Sequence, residues 1–142
     1  MRDDLLDPRA VLLRESAPDR AAAIRRCGRA LVEVGAVAEP YIEAMLERER
    51  SLSTYVGEGV AIPHGTGAAK ADILRDALCV VRFPAGVDWD GERVTLCVGI
   101  AAKDNGHVPL LAELAEILLD PERARALREA TEVSHVMKEL TG

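Results

Sequence analysis

Aromatic side chains make up only 3% of the 142 residues, with one Trp, one Phe and two Tyr. That is too few for a base-stacking platform, so the core has to be assembled from Ala, Val, Leu and Ile. An excess of cationic charge is missing as well: 18 Lys and Arg stand against 24 Asp and Glu, leaving a net charge of −6. Affinity for polyanions depends on Lys and Arg displacing condensed counterions, so nucleic acid is not an expected partner. Cysteine is scarce, and Cys27, Cys79 and Cys97 form no CxxC pair and sit inside apolar patterns. A disulfide framework or zinc ribbon is therefore not expected, and all three read as small buried hydrophobes. The histidines His64, His107 and His135 show no HxxxH or HxH spacing, so no metal site is expected. The opening MRDDLLDPR has acids where a signal peptide needs a basic and then an apolar segment, and no apolar run approaches membrane-spanning length. A cytoplasmic location without membrane insertion is the expectation.

What is present is an ordinary globular mixture, 49% apolar and 30% charged. A chain of this length fits one compact domain over residues 1–142. From Asp19 to Val34, Ile24, Cys27, Leu31 and Val34 recur at helical spacing, and Gly35 supplies a stop. A second helix is predicted from Pro40, with Tyr41, Ala44 and Met45 on one face and Glu47, Arg48 and Arg50 near its end. The stretch Tyr55 to Ile62 reads as a short strand that stops at Pro63-His64-Gly65. Two stronger strands, Leu78 to Phe83 and Val94 to Ala101, are separated by the turn formers Pro84, Gly86, Asp90 and Gly91. The second has almost nothing polar on either face, as in a strand covered on both sides. Beyond Asp104-Asn105-Gly106-His107 comes a helix with Leu110, Leu111, Leu114, Ile117 and Leu118 in one stripe. A short helix opened by Asp120-Pro121 and a last one marked by Val133, Val136, Met137 and Leu140 complete the chain. The pattern predicts an α/β fold with helices on both faces of a mixed sheet.

His64 is the residue best placed for chemistry. Pro63 restrains the backbone on one side and Gly65 leaves it bare on the other, so the ring can be held and still be reached. Near neutral pH an imidazole is mostly uncharged and keeps one lone pair able to attack phosphorus. Gly65 would let a phosphoryl group approach main-chain N–H donors, and the Thr66 hydroxyl could bond a nonbridging oxygen. Phosphoryl transfer asks for positioning and countercharge. Arg48 and His107 are the candidates, the first able to grip two oxygens and the second standing at a helix N-terminus. Blander readings stand beside these: His64 as a hydrogen-bonded turn residue, Arg48 as a solvated cation, His107 as a helix starter. His135 has no glycine, proline or arginine context and reads as surface.

Two stretches decide between these readings. Glu47-Arg48-Glu49-Arg50, followed by Ser53-Thr54-Tyr55-Val56-Gly57-Glu58-Gly59-Val60-Ala61-Ile62-Pro63-His64-Gly65-Thr66, resembles the IIA domains of the fructose and mannitol branch of the bacterial phosphoenolpyruvate-dependent sugar phosphotransferase system. The likeness extends through Ile100-Ala101-Ala102-Lys103-Asp104-Asn105-Gly106-His107 and the order of elements to Leu140, and looks closest to the mannitol type. The resemblance implies a mixed, mostly five-stranded sheet flanked by helices. It also implies a phosphohistidine at His64, with Arg48 and His107 as the family's arginine and second histidine. His64 would accept phosphate from phospho-HPr and pass it to a cysteine of a IIB component, expected on a separate polypeptide, for uptake of a sugar or sugar alcohol such as mannitol. No cofactor is implied. The alternative within the resemblance is a nitrogen-related regulatory IIA whose phosphorylation state controls other proteins. In either case the surface around His64 is expected to be apolar and shallow, with Val56, Ile62 and Val108 contributing.

Overall fold

The computed structural model describes residues 3–103 and 107–141, apart from the side chains of Asp3 and His107. Strand β1 is Leu6–Leu12, helix α1 Arg20–Glu33, helix α2 Tyr41–Ser51, strand β2 Tyr55–Gly57 and strand β3 Val60–Ala61. A short 3-10 helix follows at Gly67–Asp72, then β4 (Ala77–Trp89), β5 (Glu92–Ala101), α3 (His107–Leu119), α4 (Pro121–Arg128) and α5 (Val133–Thr141). The five strands form one sheet in the order β1-β4-β5-β3-β2. β1 runs parallel to β4 and β3 parallel to β5, while β4/β5 and β2/β3 are antiparallel. The mixed five-stranded α/β sheet expected from the sequence is thus the fold.

Alternation along the central strands explains the layering. On β4 and β5, Cys79, Val81, Phe83, Cys97 and Ala101 point to one face, where Ile24, Cys27 and Leu31 of α1 and Met45 of α2 complete the core. Leu78, Val80, Leu96, Val98 and Ile100 point to the other, against Leu110, Leu114, Leu127, Val136 and Leu140 of α3 to α5. A strand buried on both sides has no polar face to show, which is why the Val94–Ala101 run carries none. Helix α1 begins where Asp19 accepts from the Ala22 amide at 2.8 Å, and it ends at Gly35 with φ +74°.

Three local readings need correction. β1 is absent from the sequence reading because Asp7, Pro8 and Arg9 break its apolar run. It survives as an edge strand, where proline forfeits no ladder bond, and its register against β4 shifts between Leu6 and Val11. The stretch Tyr55 to Ile62 is a tight hairpin, with Gly57, Glu58 and Gly59 all at positive φ. The turn between β4 and β5 lies only at Asp90-Gly91, with φ of +55° and +95°. Pro84 and Gly86 sit inside β4, where the register slips between Arg82 and Val87. An irregularity of this kind bends a strand without ending it.

Candidate active site

The site stands where the sheet hands β3 over to a loop. β3 is held by β5 through Val60 opposite Leu96 and Ala61 opposite Cys97. The pairing reaches further as a bridge between His64 and Ile100, with the Ile100 amide donating to the Pro63 carbonyl at 2.9 Å. On its other side the Ile62 amide donates to the Thr54 carbonyl at 3.0 Å. The backbone on which His64 sits is therefore pinned from both neighbours.

The ring is half-buried, and its Nδ1 lies 2.8 Å from the Ile62 carbonyl oxygen. A carbonyl can only accept, so Nδ1 carries the proton, and in the neutral ring the lone pair is then on Nε2. Gly65 and Ile100 are joined by a third party. Tyr41, from the first turn of α2 and only 2% exposed, donates its hydroxyl to the Ile100 carbonyl at 2.8 Å and accepts the Gly65 amide at 2.8 Å. Burial pushes the Tyr41 phenol up to about 12, against the smaller opposing pull of the Gly65 hydrogen bond. It therefore stays neutral and can both give and take a proton bond. A Cβ on Gly65 would lie 2.5 Å from Tyr41 Cε1, so the glycine makes room for this ring. The Gly65 amide is thereby committed to Tyr41.

His64, Tyr41, Arg48, Thr66, Lys70 and Ile73 line one pocket of about 160 Å³. Water occupies about 30 Å³ per molecule in the liquid, so the space admits a group the size of a phosphoryl. Arg48 stands in the last turn of α2 and donates from Nη1 to the Leu52 carbonyl. Thr66 precedes the 3-10 helix, and its hydroxyl makes no capping bond. The backbone of His107 opens α3, but its side chain lies outside the described residues.

Sequence reasoning missed three members of this region. Tyr41 was assigned only to an apolar helix face, although a buried phenol needs polar partners. Lys70 gave no signal because nothing in its neighbourhood is periodic. Glu49, which carries no role of its own in the sequence reading, is buried and accepts from the Thr54 amide with both oxygens at 3.1 Å, from the Thr54 hydroxyl at 2.5 Å and from Trp89 Nε1 at 2.8 Å. It ties the end of α2 to the segment leading into the hairpin and to the tip of β4. The hairpin turn is held in turn by Arg128, whose Nη1 donates to the Glu58 carbonyl at 2.7 Å.

Other readings stand as expected. The three cysteines are buried and unbridged, with Cys79 Sγ 3.4 Å from the Cys27 carbonyl. Hydrogen bonding to Cys27 and burial hold the Cys79 thiol well above its usual range. The His135 side chain is exposed, 3.7 Å from Glu132. Among the described residues no helix is long and apolar enough to cross a membrane.

Comparison with known proteins agrees with this geometry. Residues 4–142 match the family described as "Phosphoenolpyruvate-dependent sugar phosphotransferase system, EIIA 2". The chain is 40% identical over 132 residues to the mannitol-specific phosphotransferase enzyme IIA component of Staphylococcus aureus, covering 91% of this chain and 92% of that one. It is 41% identical over 129 residues to the multiphosphoryl transfer protein of Escherichia coli O157:H7, covering 90% of this chain and 34% of the relative. Among solved structures, enzyme IIAMTL from Escherichia coli, determined in complex with phosphorylated enzyme IIBMTL, superposes with a TM-score of 0.88 at 33% identity, over 96% of this chain and 98% of that one. A helix-flanked five-stranded sheet that presents His64, Arg48 and Thr66 around one small pocket, together with a match spanning nearly all of the sequence, makes this chain a member of the EIIA 2 family of the sugar phosphotransferase system.

Proposed function

We propose that this protein is a phosphoryl carrier in which His64 Nε2 takes a phosphoryl group from phospho-HPr and delivers it to a cysteine of a IIB component, in the service of mannitol uptake. The observation that carries the proposal is the 2.8 Å contact between His64 Nδ1 and the Ile62 carbonyl, on a ring that shares its pocket with Arg48. With the proton fixed on Nδ1, the Nε2 lone pair forms the new N–P bond as the donor's N–P bond breaks, and the donor imidazole leaves with the released electron pair. The Ile62 carbonyl accepts a stronger hydrogen bond from the Nδ1–H of the cationic phosphoimidazolium than from the neutral ring, which favours the adduct. Discharge reverses the step, with a thiolate sulfur attacking phosphorus and His64 recovering its lone pair.

Arg48 supplies countercharge to the equatorial oxygens, and the Thr66 hydroxyl gives one of them a hydrogen bond. Gly65 contributes by admitting Tyr41, which fixes the loop that presents the ring. His107, at the start of α3, is proposed as the second orienting group. The partners approach over an apolar surface next to the ring. Val56, Ile62, Leu111, Leu118 and Leu119 border a groove of about 310 Å³ between the hairpin and α3, and Val108 is exposed in the first turn of α3. Shallow apolar faces of this kind suit partners that must come and go.

The 40% identity to the mannitol-specific Staphylococcus component favours the transport role over a regulatory one. The solved relative in complex with phosphorylated IIBMTL supports a IIB acceptor. The test is incubation with phosphoenolpyruvate, Enzyme I and HPr, followed by mapping of acid-labile phosphate. Label is expected on His64, none on the His64→Ala variant, and discharge is expected on addition of a mannitol IIB domain. Label that persists in His64→Ala refutes the site assignment, and charging without discharge refutes the transport role.

A further inference from the structure

Lys70 lies in the pocket with His64 and Arg48, and neither the fold nor the proposed transfer has given it a task. It belongs to the 3-10 helix Gly67–Asp72, which is fixed at both ends. At its start the Ala69 amide donates to the Thr66 carbonyl at 3.1 Å, and Ala69 is buried. At its end the Ala38 amide donates to the Asp72 carbonyl at 2.8 Å, and Ile73, 5% exposed, bridges to Val37. The lysine backbone is therefore as firmly placed as that of His64.

The helix also aims the side chain. A 3-10 helix rises about 2 Å per residue, so the Lys70 Cα sits about 8 Å beyond that of Thr66. Helical Cα–Cβ bonds tilt toward the N-terminus. That direction is the one from which the chain arrives from His64, and Lys70 lines the same pocket as the ring. The residue is exposed, and none of the ion pairs among the described residues engages its ammonium. Two cations lining one pocket repel each other, and the repulsion turns to joint attraction for a dianion bound there.

Resting on the reading of His64 as the phosphorylated residue, we propose that Lys70 is a second cationic contact to the phosphoryl group, so that Arg48 and Lys70 together match the two negative charges of the phosphohistidine. Arginine holds a planar pair of oxygens, whereas an ammonium is a point charge able to follow the phosphorus as it moves between donor and His64. In the transfer step Lys70 donates hydrogen bonds to a nonbridging oxygen and exchanges no proton.

The test compares the parent with Lys70→Gln and Lys70→Arg in single-turnover charging by two donors. One is phospho-HPr. The other is phosphoramidate, which transfers its phosphoryl to His64 with loss of ammonia and needs no protein docking surface. Lys70→Gln is expected to slow charging about 100-fold with both donors, the lower end of the range for loss of one preorganised contact to a transition state, and to leave the thermal midpoint unchanged. Lys70→Arg is expected to recover most of the rate. Equal rates for Lys70→Gln and the parent overturn the inference while leaving His64 as the carrier. Slowing confined to phospho-HPr overturns it too, because the lysine then serves partner docking. If the parent takes no label from either donor, the carrier reading and this inference fall together.

Discussion

Replacing Tyr41 by Phe removes one oxygen and leaves the ring in place, which isolates what the hydroxyl does for the His64 loop. The hydroxyl makes two hydrogen bonds of 2.8 Å, to the Ile100 carbonyl and from the Gly65 amide. Each is worth about 1 kcal/mol net, and a polar group left buried without a partner costs about 1–3 kcal/mol. Ile100 is 1% exposed, so its carbonyl gains little from water, whereas Gly65 is half-buried and recovers part of its loss. The sum is a destabilisation of about 2–4 kcal/mol, or a fall of about 6–12 °C in Tm at roughly 3 °C per kcal/mol for a chain of this size. The pH dependence gives an independent check. The phenol is pushed from 10.0 to about 12 by burial, so the native state holds its proton after the unfolded chain has released it. Stability from this group is complete below about pH 10 and is lost as pH rises toward about 12. By pH 11 about 1.4 kcal/mol of the difference between parent and variant should have gone. Urea denaturation of both proteins at pH 8, 10 and 11 measures this directly. A variant within about 1 °C of the parent at neutral pH, or a difference that stays constant through pH 11, refutes the tether.

Arg48→Ala should keep the fold, since its bond to the Leu52 carbonyl lies at the surface, with stability changing by less than about 0.5 kcal/mol. Charging of His64 by phospho-HPr in rapid quench should nevertheless slow by about 100-fold. Glu49→Ala should do the reverse at the start. Loss of the acceptor for the Thr54 amide, the Thr54 hydroxyl and Trp89 Nε1 should cost about 3–5 kcal/mol in chemical denaturation, with slower charging only as a consequence of loosened α2 and hairpin.

The outline of the fold was legible where a physical period was strong. Ile24, Cys27 and Leu31 marked α1, and the all-apolar Val94–Ala101 run announced a strand covered on both sides. What escaped was structure whose signal is carried by a partner far away in the chain. β1 reads poorly because its pairing with β4 compensates for Pro8, and Pro84 looks like a stop only until β5 is laid beside it. At the site, His64, Gly65 and Thr66 were legible because the Pro-His-Gly-Thr string is local. Tyr41, Glu49 and Lys70 were not, since each acts across the fold: Tyr41 on Ile100, 59 residues away, and Glu49 on Trp89, 40 residues away.

The same long-range contacts explain how a two-residue strand can hold in place the histidine proposed to carry phosphate. β3 is too short to hold a loop rigid by its own ladder, and Pro63 contributes no amide to it. Order at His64 comes instead from three separate tethers: the Ile62 carbonyl on Nδ1, the β5 amide of Ile100 on Pro63, and the Tyr41 hydroxyl between Gly65 and Ile100. All three act on the backbone or on Nδ1. A phosphoryl carrier must meet its donor and its acceptor through one atom and change little between the two encounters, because each reorganisation would add to the barrier. Two residues of strand anchored in this way meet that demand.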